Sequence, residues 1–171
     1  MSGAIAMRVN VVPEPLTSVQ NLGDFLDRLP GRFTDLLGIR VEQAGAERAV
    51  LTMAYRHDLT TPYGVMHGGS VAALADSAAG VAMMAALRPG EAFATVEMKV
   101  NLLGAVREGT LTAEASAIHR GRRTAVYEVK VTDGRARLIA LFVCTQMILE
   151  HARPVPAGTV PAGGPSGLRP T

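Results

Sequence analysis

Residues 61–87 read TPYGVMHGGSVAALADSAAGVAMMAAL, and the reading of the whole chain turns on them. From Gly68 to Leu87 the only charge is Asp76, nine residues after His67. The segment is rich in Ala, Leu and Met and too long for one strand, so it predicts a helix that Arg88, Pro89 and Gly90 end. Twenty helical residues would span about 30 Å, enough to cross a bilayer. Most of them are Ala, Gly and Ser, however, and a central Asp costs about 2.5–3.5 kcal/mol on an insertion scale. Two leucines do not offset that cost, and the expectation is a soluble protein without a membrane partner.

Around this helix the chain divides readily. Residues 36–56, LLGIRVEQAGAERAVLTMAYR, predict two strands about Ala44–Ala46. After the helix the period becomes two: Ala94, Val96, Met98, Val100 and Leu102 are expected on one face, with Thr95, Glu97, Lys99 and Asn101 on the other. GTLTAEASAIH (109–119) and TAVYEVKVT (124–132) continue as strands joined through RGRR, and Asp133-Gly134 predicts a hairpin turn into RARLIALFVCTQMIL (135–149). Upstream, Leu22, Phe25, Leu26 and Leu29 have helical spacing, with Thr17 or Ser18 as cap and Pro30 beyond the end. Residues 1–16 read as an arm, 17–150 as one domain and 151–171 as a Pro/Gly-rich tail with no means of building a core. The order predicts an α+β domain in which an antiparallel sheet curves around one central helix. A single sheet also has an outer face and two edges to protect, so at least a dimer is expected.

Composition narrows the function. The 171 residues are 48% hydrophobic and 19% charged, which fits a globular chain. A net charge of +2 and 4% aromatic residues argue against a nucleic-acid partner. Cys144 is the only cysteine, which excludes an internal disulfide and fits a reducing, cytoplasmic location. His57, His67, His119 and His151 share no zinc-like spacing with one another or with Cys144, so no metal site is expected. A nucleophile elbow and a phosphate loop are both absent from the sequence.

Asp76 is the residue that can carry chemistry. A carboxylate in an apolar helix loses hydration, which raises its pKa and suits a general base or nucleophile, although a structural partner for an arginine has the same look. Gly68 and Gly69 stand where the helix begins; they admit another molecule to the backbone, whose free N–H groups attract developing negative charge. Gly69 and Asp76 are seven residues apart, about two turns and 10 Å, a gap that suits a reacting carbonyl served by one chain or by two in a dimer. His67 either orders the preceding loop or contacts substrate. Arg120, Arg122 and Arg123 form a turn that is either simply solvated or recognises phosphates.

GVMHGGSVAALADSAAG resembles the G-x-x-H-G-G…D signature of the hotdog-fold acyl-CoA thioesterases of the phenylacetate-degradation (PaaI-like) branch. The similarity runs from about Leu36 to about Leu149 and includes TVEMKVNLLGAVREGTLTAEA. The resemblance implies a sheet wrapped around a long helix, with subunits paired into a homodimer or homotetramer and active sites at the interface. It implies hydrolysis of acyl-CoA or aroyl-CoA thioesters without a cofactor. Asp76 then matches the catalytic carboxylate, Gly68 the N–H that polarises the carbonyl, His67 the ordering histidine, and Thr95 the position that helps place water. Gly69 and the arginines 120, 122 and 123 fall in regions that meet substrate, the arginines at the nucleotide end of coenzyme A. One departure stands out: six residues before the histidine this branch commonly has Asn, and here it is Thr61, with one donor in place of two. Thr61 raises the alternative of a non-catalytic acyl-CoA-binding protein, against which the retained Asp76 argues. A hotdog dehydratase would need a D-x-x-x-x-H motif after a strand, and none is visible.

Overall fold

A computed structural model describes residues 33–150 and Gln20. The arm, the helix predicted over 22–29 and the tail therefore lie outside the described residues. A short helix α1 (Phe33–Leu37) precedes β1 (Arg40–Gln43) and β2 (Arg48–Ala54); one 3-10 turn (His57–Leu59) leads to α2 (Gly68–Ala86). Then follow β3 (Ala92–Leu102), β4 (Thr110–Arg120), β5 (Thr124–Thr132) and β6 (Leu138–Leu149). The strands form one antiparallel sheet in the order β1-β2-β4-β5-β6-β3, and α2 lies across β2 to β6. This is the α+β architecture expected of the sequence; α1 is an addition, and its last two residues, Leu36 and Leu37, fall in the stretch expected to be strand.

The alanines of α2 explain how the helix sits. Ala75, Ala78, Ala79 and Ala82 are fully buried, and such small side chains let the sheet approach closely. The sheet answers with Leu51, Met53, Leu111, Tyr127, Val129 and Phe142, each almost completely buried and each contributing about 1.5–3 kcal/mol by leaving water. Eleven of the nineteen residues of α2 are buried, so its apolar composition serves the core. The Tyr127 hydroxyl donates to Met83 Sδ at 3.8 Å, and burial pushes it up to about 12.

Two local expectations are corrected. The turn after β5 is not a two-residue Asp-Gly hairpin. It spans residues 133–137, Asp133 accepts the N–H groups of Arg135 and Arg137, and the positive φ (58°) falls on Ala136. The Asp side chain caps the loop at residues 135 and 137, and this longer span moves the left-handed position past Gly134. The alternation of β3 is also broken. A bulge between Thr95 and Glu97 leaves Val96 without a partner on β6. Residues paired directly across antiparallel strands share a face, and Cys144, Phe142 and Ala140 face α2. Their partners Met98, Val100 and Leu102 therefore face α2 as well, together with Thr95, the partner of Gln146. Thr95 thus joins the face from which simple alternation excluded it.

Candidate active site

The start of α2 is organised by one residue. His67 is the N-cap: its Nδ1 accepts the Gly69 N–H at 2.9 Å, and its carbonyl accepts from Ser70 and Val71 at 2.9 and 3.3 Å. With Nδ1 an acceptor, the ring proton sits on Nε2. The His67 N–H donates to Leu59 O at 2.8 Å, and Ser70 Oγ donates to the same oxygen at 3.3 Å, which locks the helix start to the preceding turn. Three of the first four N–H groups of the helix are thereby satisfied. The Gly68 N–H is the one left over among the described residues. Its surroundings are close: a Cβ at Gly68 would stand 2.4 Å from Leu102 Cδ1.

Two turns further along, Asp76 is half-buried and accepts a hydrogen bond from Thr95 Oγ1 at 3.2 Å. Loss of hydration on burial raises its pKa above the usual carboxylate value, and the Thr95 hydroxyl partly opposes the rise. The bulge makes this contact by turning Thr95 inwards. Behind the pair lies the fully buried Cys144, whose thiol burial and the Asp76 charge push up to about 12.

Thr61 begins the turn that precedes His67. Its N–H donates to Val65 O at 2.8 Å, its carbonyl accepts from Gly64, and its buried hydroxyl has no partner. The arginines lie elsewhere, at the C-terminal end of α2, about 15 Å along the axis from Asp76. There Arg120 and Arg122 line a cleft of about 670 Å³ with Arg88, Glu91 and Glu150. Arg120 is paired with Glu47. Arg123 does not line the cleft; its carbonyl accepts the Ile148 N–H at 2.8 Å. Arg88, in sequence only a helix stop, is a third cation at this cleft. Among the described residues no three His, Cys, Asp or Glu side chains are grouped to hold a metal ion.

A hydroxyl-held carboxylate beside an apolar interior, and one spare N–H at a glycine-lined helix start, are parts suited to acyl transfer. The thioesterase superfamily profile matches residues 63–140. Over 111 residues the chain is 32% identical to 1,4-dihydroxy-2-naphthoyl-CoA hydrolase of Listeria monocytogenes, covering 65% of this chain and 90% of that one. The chain belongs to the thioesterase superfamily. Among solved structures, thioesterase HI1161 of Haemophilus influenzae superposes with a TM-score of 0.74 at 25% identity, over 83% of this chain and 98% of that one. The Escherichia coli PaaI protein of the phenylacetic acid degradation operon superposes with a TM-score of 0.69, again at 25% identity, over 78% and 94%. The fold is the hotdog fold that the sequence resemblance implied.

Proposed function

We propose that this chain hydrolyses acyl-CoA or aroyl-CoA thioesters to the free acid and coenzyme A. The observation that carries the reading is the half-buried Asp76 held by Thr95 on the helix whose first N–H, at Gly68, is unspent. Asp76 acts as general base or nucleophile on the thioester carbon, and the Gly68 N–H polarises the carbonyl oxygen. His67 sets the direction of that N–H by fixing the three donors around it. Thr95 orients the carboxylate and the water beside it. Thr61 offers one free hydroxyl where an amide is usual. Gly69, its own N–H engaged by His67, contributes open space next to the carbonyl. The arginine cleft receives the phosphates of coenzyme A through Arg88, Arg120 and Arg122.

The geometry favours a site built from two chains. Gly68 and Asp76 are eight residues apart on one helix, about 12 Å along its axis. A carbonyl reaches only about 3 Å to its hydrogen-bond donor on one side and about 3 Å to its base on the other. A second copy closes the gap. Strand β3 is an edge of the sheet, eleven residues long, with Val96, Met98, Leu102 and the adjoining Leu103 each more than half exposed. An antiparallel pairing of two β3 edges, with its two-fold axis at Lys99, sets Met98 of one copy across from Val100 of the other and Leu102 across from the bulge at Thr95 and Val96. Gly68, against Leu102, then faces Asp76, against Thr95, across the interface. The homodimer is the catalytic unit, and a homotetramer is two such units.

The test is free-thiol release from phenylacetyl-, hydroxybenzoyl-, short- and long-chain acyl-CoA. Release from at least one thioester is expected. No release from any of them, with CoA thioesters still bound tightly, would favour the binding-only alternative that Thr61 raises.

A further inference from the structure

Strand β6 turns Ala140, Phe142, Cys144, Gln146 and Ile148 towards α2, and only one of them is an amide. Gln146 has no solvent exposure, and neither its Nε2 nor its Oε1 has a hydrogen-bond partner. A buried donor and acceptor left unpaired is among the costlier features a core can hold, and Leu or Met would fill the same space without that cost. Something must therefore use the amide.

The register narrows what that is. Gln146 lies directly across from Ala125 on β5 and from Thr95 on β3. Ala125 offers its side-chain face nothing polar. Thr95 spends its hydroxyl hydrogen on Asp76 Oδ1, but its oxygen still has lone pairs to accept a bond. Side chains opposed in this way have Cβ atoms about 4.5–5.5 Å apart, well inside the reach of glutamine. The Thr95–Asp76 distance of 3.2 Å is long for a hydroxyl donating to a carboxylate, as expected of a rotor that nothing holds.

We propose that Gln146 is a positioning residue. Rotation about its terminal torsions brings Nε2 to donate to Thr95 Oγ1, which fixes the hydroxyl with its hydrogen on Asp76. The amide, the hydroxyl and the carboxylate then form one chain of hydrogen bonds in which each member strengthens the next. The donor is thereby satisfied; an under-satisfied carbonyl oxygen is the better tolerated of the two leftovers. The functional meaning rests on the thioesterase reading of Asp76, but the chain of bonds itself is testable without turnover.

The experiment follows the titration of the Asp76 carboxyl carbon by NMR in the full-length protein, in Gln146→Met, in Thr95→Val and in the double variant. Gln146→Leu serves as the second form should the methionine variant not fold. Glu97 and Cys144 are the other titratable groups of this neighbourhood, and none of these substitutions touches them. With Thr95 present, loss of the amide weakens the bond to the ionised carboxylate, so the midpoint rises. The rise expected is about 0.1–0.7 of a pH unit, from a 10–30% loss in a charge-assisted hydrogen bond. In the Thr95→Val background the same substitution should move nothing. Equal shifts in both backgrounds, or no shift in either, would overturn the proposal. If no thioester is turned over by the unaltered protein but the coupled titration is seen, the hydrolase reading falls and this one stands. Turnover with an uncoupled titration gives the reverse.

Discussion

Two chains that are each inactive should restore one another when mixed. Gly68→Pro removes the one free N–H at the start of α2, and proline is well tolerated at the first position of a helix. Its ring meets Leu102 Cδ1, the far end of a flexible side chain that can rotate aside. Asp76→Asn keeps the shape of the side chain and an oxygen for Thr95 to donate to, but it has no base. Loss of one oxyanion donor costs about 10²–10³-fold, and loss of a positioned base about 10²–10⁴-fold, so each homodimer is nearly silent. In the proposed two-chain arrangement, which the separation of about 12 Å along α2 supports, each site takes Gly68 from one chain and Asp76 from the other. A mixed dimer then holds one intact site and one doubly damaged site. Equal amounts associating at random give half mixed dimers, so about a quarter of the unaltered activity should return. Co-expression with two different tags and purification through both isolate the mixed dimers, in which a thiol-release assay should read about half of the unaltered activity. A doubly tagged dimer no more active than its parents would refute the two-chain site and the axial reasoning behind it.

Four further outcomes follow from the same geometry. Asp76→Asn alone should raise thermal stability at pH 7, because an ionised carboxylate with a raised pKa destabilises the folded state there. That advantage should shrink as the pH falls through the raised value towards the unfolded value of about 3.9, and calorimetry at several pH values checks it. Met98→Lys places a charge near the centre of the β3 edge, across from the apolar Val100 of the second copy; sedimentation should show monomers, and turnover should fall about 10²-fold or more because neither site is complete. Arg88→Ala and Arg122→Ala should raise KM for CoA thioesters with little change in kcat, and the effect should fade at high salt, where phosphate contacts are screened. Cys144, without solvent exposure and with its thiol pushed up to about 12, should not react with a disulfide reagent until the protein is unfolded. Stoichiometric labelling of the native protein would show that this part of the core opens.

The long helix was legible because no other element accommodates nineteen residues of that composition, and its ends were marked by His67-Gly68-Gly69 and Pro89-Gly90. Strands β4 and β5 followed from period two and their turn residues. Gln146 was also legible in principle. Counting by twos from Phe142 puts it on the buried face, and an amide in that register is a signal that the strand reading passed over. Arg88 could not be found that way, since its partners Arg120 and Arg122 come to it only through the pairing of β4 with β5 at the end of the sheet.

Strand β3 shows why the remainder was hidden. Alternation runs without a break through Ala94, Val96, Met98, Val100 and Leu102, and nothing in that pattern announces an extra residue. The bulge appears only when β6 supplies the register. Its cause can be stated in terms of two demands on one strand. The downstream half must turn Met98, Val100 and Leu102 towards α2, whereas the bond to Asp76 needs the Thr95 hydroxyl on that same face, an odd number of residues away from them. Strict alternation with Thr95 inside would carry Glu97, Lys99 and Asn101 in with it, burying two charges against an apolar helix. Strict alternation with Met98 inside would point Thr95 away from Asp76. One unpaired residue, Val96, reconciles the two. Deleting Val96 should therefore cost either the core of β3 or the Thr95–Asp76 bond, because a regular strand cannot keep both.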